Sequence, residues 1–224
     1  MLLVIAAYLL GAVPFGLLIG RAHGVDVRTL GSRNIGATNV GRVLGRPWGY
    51  LCLVLDILKG FVPTLLAALW LGGPRSGPSS QLAVLLVALA AVLGHVFPVY
   101  VRFRGGKGVA TTIGVALGVW PHYTLAMGVA LVAYGLVRWT TRTVSLGSLT
   151  LALVFPSAHL AHMEWTGVPL REHWPLQLVA ALLGLLIIAR HHENIHRLLS
   201  GRELAPVAGR DASAPTKPDL GDTP

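Results

Sequence analysis

The chain has 224 residues, of which 54% are apolar and 12% are charged, and its mean hydropathy is +0.66. Soluble domains carry about 25% charged residues, and a chain of this length has too much surface to hide so many apolar side chains from water. The composition excludes a disordered protein, and the single cysteine, Cys52, excludes a disulfide-stapled secreted domain. A lipid bilayer is therefore the expected solvent.

The formal net charge of +9 has a use in a membrane protein. In a soluble protein such an excess would raise the question of nucleic acid. Here it orients the spans and attracts anionic lipid head groups or phosphorylated substrates. No nucleic-acid partner is expected.

Apolar stretches near the length of about 20 residues that crosses a bilayer predict an all-α integral membrane protein with about seven transmembrane helices. Pro14 interrupts the first stretch. The stretch 109–138 is broken at Trp120-Pro121-His122, which predicts two helices, the first of them short. Five or six spans would follow if that pair were re-entrant or single. The predicted spans are 1–20, 48–71, 81–101, the two parts of 109–138, 144–163 and 174–189.

The basic residues predict the orientation, because cytoplasmic loops carry the excess of Lys and Arg. With seven spans, 15 of the 18 basic residues fall on one face, whereas Arg75 and Arg171 fall on the other and Lys59 lies within a span. We therefore expect an external N-terminus and a cytoplasmic C-terminus. Residues 1–203 would form the membrane domain, and 204–224, which have little to bury, a disordered cytoplasmic tail.

The first basic loop is rich in glycine, small hydrogen-bonding side chains and arginine over residues 31–42. Glycine lets the backbone approach a ligand closely, and arginine offers a planar fork that suits phosphate. The loop therefore predicts an anion cradle; a solvated turn with topogenic arginines is the alternative. The side chains that would form the cradle are Ser32, Asn34, Thr38, Asn39 and Arg42.

The second basic loop ends in Gly105-Gly106-Lys107-Gly108 before an apolar stretch. A lysine and free N–H groups at the start of a helix predict an anion site at its positive end. The spacing does not match a nucleotide-binding P-loop. Lys107 facing lipid phosphates is the alternative, and for His95, upstream, a helix-end hydrogen bond and a chemical role remain equally open.

Asp56 and Lys59 are ionisable residues deep within an apolar stretch. Their spacing of three places them on one helix face, where they can neutralise each other. Burial of charge in a membrane costs free energy, so a structural or functional role is expected for both residues. A structural ion pair is the favoured interpretation. Lys59 close to a substrate is the alternative.

The segment after the last span begins Arg190-His191-His192-Glu193-Asn194 and continues to Arg197. If the helix continues, His191 and Asn194 share a face, and together they would bind or deprotonate a substrate hydroxyl. Glu193 and Arg197 would support them. No cysteine or carboxylate completes a metal-ligand set at suitable spacing, so neither a metal nor another cofactor is expected.

Several motifs in order resemble the bacterial membrane glycerol-3-phosphate acyltransferases that use acyl phosphate as the acyl donor. The resemblance covers about residues 1–203. The motifs are Gly31-Ser32-x-Asn34-x-Gly36-Ala37-Thr38-Asn39 with Arg42; Asp56-x-x-Lys59-Gly60; Gly94-His95-x-Phe97-Pro98 followed by Gly105-Gly106-Lys107-Gly108-Val109-Ala110-Thr111; Thr141-Arg142-x-x-Ser145; and Arg190-His191-x-x-Asn194-Ile195-x-Arg197-Leu198 followed by Gly201-x-Glu203.

The resemblance implies a seven-span enzyme of the bacterial inner membrane with its active site facing the cytoplasm. It would make 1-acyl-glycerol-3-phosphate (lysophosphatidic acid) without a cofactor and would depend on the enzyme that makes acyl phosphate. Ser32, Arg42, Lys107 and Ser145 would hold phosphate, and the polar residues of the first loop would shape the cradle. His191 and Asn194 would contact the glycerol end.

Two positions depart from the common pattern of that family, namely Arg33 in place of glycine and Ile35 in place of proline. Neither removes a group that the chemistry needs, and the role of Arg33 stays open. The proton acceptor, either His191 or a substrate phosphate, is also open. The competing hypothesis is a transporter or channel for an anionic solute, which would need polar residues along a transmembrane path.

Overall fold

The computed structural model describes residues 1–72 and 77–203, and these residues form helices and connecting turns with no β-strand among them. Arg75 and the predicted tail 204–224 lie outside the described residues. In chain order the helices are α1 (Leu2–Ala12), α2 (Phe15–Ala22), α3 (Ala37–Leu44), α4 (Arg46–Trp70), α5 (Pro78–Val96), a 3₁₀ turn (Val99–Val101), α6 (Val109–Gly118), α7 (His122–Thr141), α8 (Val144–Trp165), α9 (Leu170–Arg190) and α10 (His192–Leu199).

Six segments of the described chain are long and apolar enough to cross a membrane, and α6 is a shorter apolar helix. At 1.5 Å per residue, the 10 residues of α6 extend about 15 Å, half of the hydrocarbon thickness. The predicted all-α membrane fold is confirmed, with six segments of span length and a seventh, shorter apolar helix where the sequence predicts the short first half of the 109–138 stretch. The six long segments are Leu2–Ala22, Arg46–Trp70, Pro78–Val101, His122–Thr141, Val144–Trp165 and Leu170–Arg190.

Proline explains two of the breaks in these helices. Pro14 disfavours a helical conformation at Val13, which has ψ of 117° and ends α1 before α2 begins. In α9, His173 has φ of −125° and ψ of 16° two residues before Pro175, so the helix bends there. The last span therefore begins four residues earlier than the sequence predicts, at Leu170, with a kink instead of a clean start.

Helix α3 lies inside the loop that the sequence analysis treated as a turn-rich cradle. It buries Asn39, Val40 and Gly41 and crosses α4 so closely that a Cβ on Gly49 would lie 2.8 Å from the Cα of Gly41. The eight residues of α3 are strongly amphipathic, and packing of the apolar face rather than propensity stabilises so short a helix. The glycine content of this segment therefore supports a close helix crossing.

Small residues let the membrane helices approach one another. A Cβ on Gly11 would lie 2.1 Å from the carbonyl oxygen of Ala91, where α1 meets α5, and one on Gly114 would lie 2.0 Å from the carbonyl oxygen of Ile57, where α4 meets α6. Such contacts replace the hydrophobic drive that is missing between helices in lipid. They fix the relative positions of the helices that carry the polar residues.

The ends of the bundle differ in chemistry. At one end, the starts of α5, α7 and α9 meet through a Gln81–His173 hydrogen bond of 3.0 Å and a His122–His173 ring contact. Exposed tryptophans lie near this end at Trp70, Trp120, Trp165 and Trp174, as is typical of a membrane interface. The polar loops of the sequence analysis gather at the other end.

Candidate active site

The polar loops surround a cavity of about 360 Å³ among the helix ends. Most of the residues predicted from the sequence line this cavity. The fold thus brings together segments that lie more than 150 residues apart in the chain. The predicted residues that line the cavity are Ser32, Asn34, Thr38, Asn39, Arg42, Asp56, His95, Lys107, Gly108, Ser145, His191 and Asn194.

Asn39 holds the first loop in shape. Its buried side-chain oxygen accepts a hydrogen bond from the Ser32 N–H at 2.7 Å, and its amide nitrogen donates to the carbonyls of Val27 and Leu30 at 2.9 and 3.1 Å. Asn34 closes a tight turn by accepting from the Gly36 N–H at 2.9 Å. Both amides therefore bond to the protein backbone and fix the rim on which Ser32 lies.

Two cationic side chains enter the cavity from different segments. Arg42 comes from α3 and is half-buried, and burial lowers its guanidinium pKa. Lys107 comes from the glycine-rich loop; burial, followed by the nearby charge of Arg197, lowers its pKa to about 8. Lys107 donates a hydrogen bond to the side-chain oxygen of Asn194. Partly dehydrated cations of this kind bind anions more strongly than exposed ones.

Ser145 supplies a buried hydroxyl to the same cavity. Its side chain is 4% exposed, and its Oγ has no hydrogen-bond partner among the described residues. Ser148, one turn further along α8, instead donates to the carbonyl of Val144 at 3.0 Å. A buried hydroxyl without a partner is costly, so Ser145 is available to a ligand oxygen.

His191 has a fixed tautomer. Its Nδ1 lies 2.7 Å from the Ile187 carbonyl, and because a carbonyl only accepts, Nδ1 carries the proton and Nε2 is left as an acceptor. Burial, followed by the charge of Lys107, lowers the pKa of His191 to about 4. The side chain is 2% exposed and lines the cavity. At neutral pH it is an uncharged hydrogen-bond acceptor.

Glu203 is a cavity residue that the sequence analysis did not select, although it belongs to the last motif. Its Oε1 accepts a hydrogen bond from the Asn194 amide at 3.1 Å, and its Oε2 lies 3.8 Å from Nε of Arg197. A polar chain thus runs from Lys107 through Asn194 to Glu203. The feature of the sequence that could have identified Glu203 is its position as a carboxylate at the end of a strongly basic segment.

Gly105 and Gly106 do not line the cavity, unlike Gly108. The Gly106 N–H donates to the His95 carbonyl at 3.1 Å, and a Cβ on Gly106 would lie 2.2 Å from His95 Nε2. Arg190 reaches the Gly105 carbonyl at 3.5 Å. Both glycines therefore pack against protein and thereby position Lys107, and their contact with phosphate stays a prediction.

The Asp56–Lys59 pair forms as expected, with 2.8 Å between its charged atoms and both side chains buried. Lys59 also donates to the Val13 carbonyl at 3.0 Å and does not line the cavity, which agrees with the structural interpretation. Asp56 does line it, and one of its oxygens lies 3.6 Å from Nδ1 of His95. The pair therefore connects α4 to the helix break between α1 and α2, through Lys59, and to the end of α5, through Asp56.

Glu193 and Arg197 lie outside the cavity lining. Their charged atoms are 3.7 Å apart, and the Glu193 side chain is 68% exposed. Arg197 still acts on the site through its charge, since among the neighbouring cations it makes the largest contribution to lowering the pKa of Lys107. These two residues are therefore neighbours of the site and not part of its wall.

One side of the cavity is apolar, and the sequence did not identify the side chains that form it. It is formed by side chains of α4, α6, α7 and α8, with the Tyr134 ring packed against Gly147. Apolar residues on a membrane helix give no signal that separates a cavity wall from a lipid-facing surface. The main apolar lining residues are Leu53, Ile57, Val109, Ile113, Leu131, Tyr134, Val144 and Leu151.

The fold and the cavity define a class of protein, a multi-pass membrane protein in which a cavity with cationic side chains adjoins an apolar wall. The sequence profile of one family, described as glycerol-3-phosphate acyltransferase, matches residues 1–201. Relatives of that name from Geotalea daltonii and Aquifex aeolicus are 44% and 45% identical over 201 residues, which cover 90% of this chain and 94% and 96% of theirs.

Two crystal structures are similar to the whole bundle. Both are of PlsY, described as an integral membrane glycerol 3-phosphate acyltransferase, in a glycerol 3-phosphate form and a lysophosphatidic acid form. They share 41% identity with this chain, cover 91% of it, and superpose with TM-scores of 0.78 and 0.75, over 94% and 93% of their own chains. The chain therefore belongs to the glycerol-3-phosphate acyltransferase family and is a membrane acyltransferase, not a transporter.

Proposed function

We propose that this protein transfers a fatty acyl group from acyl phosphate to the 1-hydroxyl of glycerol-3-phosphate, giving lysophosphatidic acid and inorganic phosphate, the first acylation step of phospholipid synthesis. The observation that carries the proposal is a single cavity in which half-buried cations and a hydroxyl without a partner among the described residues adjoin an apolar wall. Both substrates carry a phosphate, and one also carries a long apolar chain.

The polar end of the cavity suits phosphate. Arg42 and Lys107 supply charge, Ser32 and Ser145 supply hydroxyls, and the Gly108 backbone opens α6 with its positive end toward the cavity. Fixed donors of this kind stabilise the charge that develops on a departing phosphate. Acyl phosphate is a mixed anhydride, so a positioned hydroxyl can attack it without a covalent enzyme intermediate.

The apolar wall supports a lipid-like donor. The acyl chain would lie along Ile113, Leu131 and Leu151, with its carbonyl near Ser145 and Lys107. The soluble substrate would enter from the polar rim formed by the first loop. This arrangement brings the two reactants together in one cavity, which lowers the entropic part of the barrier.

The tautomer and the low pKa of His191 favour substrate phosphate as the final proton acceptor. Its bare Nε2 accepts a hydrogen bond from the attacking hydroxyl and orients it, while a pKa of about 4 makes it a weak base at neutral pH. The hydroxyl oxygen forms the new ester bond as the bond between the acyl carbon and the phosphate oxygen breaks. The hydroxyl proton then leaves on the released phosphate, and Asn194 holds Lys107 in place.

We further propose that the protein lies in the bacterial inner membrane with this cavity facing the cytoplasm, the N-terminus outside and the C-terminus inside. The excess of basic residues on the cavity face supports this orientation. Acyl phosphate would then reach the site from the enzyme that produces it, through the membrane lipids.

The deciding experiment supplies purified protein with glycerol-3-phosphate and either palmitoyl phosphate or palmitoyl coenzyme A. We expect lysophosphatidic acid and equimolar phosphate with the first donor alone. Turnover with only the thioester would contradict the assignment of acyl phosphate as the acyl donor. Absence of product with either donor, in folded protein, would contradict the proposed reaction.

The Ser145→Ala variant should retain folding and lose about 10- to 100-fold in kcat/KM, as expected for one buried hydrogen bond to a charged ligand.

A further inference from the structure

Arg33 adopts a backbone conformation that an arginine rarely takes. Its φ is +58°, in the left-handed region that favours glycine. Among the described residues only three other non-glycine residues have positive φ, namely Arg102, Phe103 and Arg142. Residues with such strained backbone conformations cluster at functional sites, so Arg33 is a candidate for a functional role.

Arg33 lies at the rim of the cavity. Its chain neighbours Ser32 and Asn34 both line the cavity, whereas the Arg33 side chain is exposed to solvent and does not line it. The turn is held by the Arg33 N–H, which donates to the Leu30 carbonyl at 3.0 Å, and by the bond from Ser32 to Asn39. The backbone is therefore fixed in place independently of the guanidinium group.

The charge of Arg33 is not neutralised within the described part of the protein. It has no ion pair there, and the acidic residue nearest in sequence, Asp26, pairs with Arg28 at 2.6 Å. Its full positive charge therefore faces the water through which a soluble anion approaches. Arg42 and Lys107 then continue the positive potential into the cavity.

We propose that Arg33 recruits the phosphate monoester of the water-soluble substrate, glycerol-3-phosphate, to the rim of the cavity and so lowers its KM. The inference rests on the proposed function. A unit charge about 10 Å from a dianion changes its local concentration about threefold at 0.01 M ionic strength. The effect disappears near 1 M salt, where the screening length falls to about 3 Å.

Three substitutions separate the charge of Arg33 from its backbone conformation. Arg33→Lys keeps the charge and the strain, Arg33→Gln keeps the strain alone, and Arg33→Gly removes both. The matched control is Arg102→Gly, because Arg102 is also exposed, has φ of +55° and carries the same charge, but neither of its neighbours lines the cavity.

At 0.01 M ionic strength, the Gln and Gly variants should raise the KM for glycerol-3-phosphate about threefold with kcat unchanged. The Lys variant and Arg102→Gly should keep it within about 1.5-fold of the original. Both Gly variants should raise the Tm by about 2–4 °C, because the strain is relieved. The KM difference should vanish at 1 M salt.

Equal KM values for all Arg33 variants at low salt would overturn the inference, as would a change only in the KM for acyl phosphate. A Lys variant as impaired as the Gln variant would also overturn it, since the role would then be structural. Titration calorimetry with glycerol-3-phosphate alone, on the same proteins, gives the same comparison without turnover. Wild-type protein that binds glycerol-3-phosphate but never uses acyl phosphate would contradict the proposed function and leave this inference standing.

Discussion

At the scale of single residues, Lys107 determines how the site responds to pH. Its pKa of about 8 means that it is charged below that pH and neutral above it. The substrate contributes the opposite limb, because a phosphate monoester becomes dianionic above about pH 6. The expected profile of kcat/KM for glycerol-3-phosphate therefore rises through about pH 6 and falls through about pH 8.

The Lys107→Arg variant tests this assignment, since arginine stays charged throughout the accessible range. It should move the alkaline limb beyond pH 9 even if its maximal rate is lower, whereas Lys107→Ala should lose about 2–4 kcal/mol of transition-state stabilisation. The measurement is kcat/KM from pH 5 to 10. An alkaline limb that stays at pH 8 in the Arg variant would assign it to another group.

Replacement of His191 should affect the rate without changing either limb. The His191→Ala variant loses the acceptor that orients the hydroxyl, at a cost of about 1–3 kcal/mol in kcat. Because the pKa of His191 is about 4, its titration lies below both limbs. Steady-state kinetics over the same pH range checks this, and loss of a limb near pH 6–7 in the variant would instead identify His191 as the proton acceptor.

At the scale of elements, the glycine-rich loop and the end of α5 form one unit. Gly106→Ala would place a Cβ 2.2 Å from His95 Nε2, so the loop and Lys107 must shift. We expect a destabilisation of about 1–3 kcal/mol and a kcat/KM at least tenfold lower. Gly128→Ala is the control, because a Cβ there meets no atom within 4 Å. Thermal unfolding and kinetics should separate the two variants, and equal behaviour would show that the loop adapts.

The Asp56–Lys59 pair joins α4 to two other elements. Asp56→Asn leaves the Lys59 charge buried without its partner, which costs about 3–5 kcal/mol. The double variant Asp56→Asn/Lys59→Met should recover much of that stability. Thermal unfolding in detergent is the measurement, and the exposed Asp26→Asn variant should leave the Tm unchanged. A double variant less stable than the single one would argue against a structural ion pair.

At the scale of the whole molecule, the proposed orientation can be tested by labelling. Cys52 is buried and can be replaced by alanine. In that background, Thr29→Cys on the cavity face should react with a membrane-impermeant maleimide only after cell lysis. Thr166→Cys, exposed after α8 at the opposite end, should react in intact cells. The reverse pattern would invert the topology.

Much of the fold and of the site follows from sequence patterns, for particular reasons. Apolar runs of span length have one low-energy solution in lipid, because every backbone group must be bonded within a helix. Lys107, His191 and Ser145 were selected because donors and cations cluster in few loops and match a known set of motifs. Glu203 and the role of Gly106 were missed, since both depend on contacts between segments distant in the chain.

The sequence by itself determined the helical membrane class, the number of apolar helices and the polar residues that gather at one face, because these depend on local composition and length. Tertiary structure alone decided that Gly105 and Gly106 pack against His95, that α3 forms within the first loop, and that the Ile113, Leu131 and Leu151 side chains line a cavity instead of facing lipid. The physical reason is that helix packing in lipid depends on close backbone approach, which no local pattern specifies.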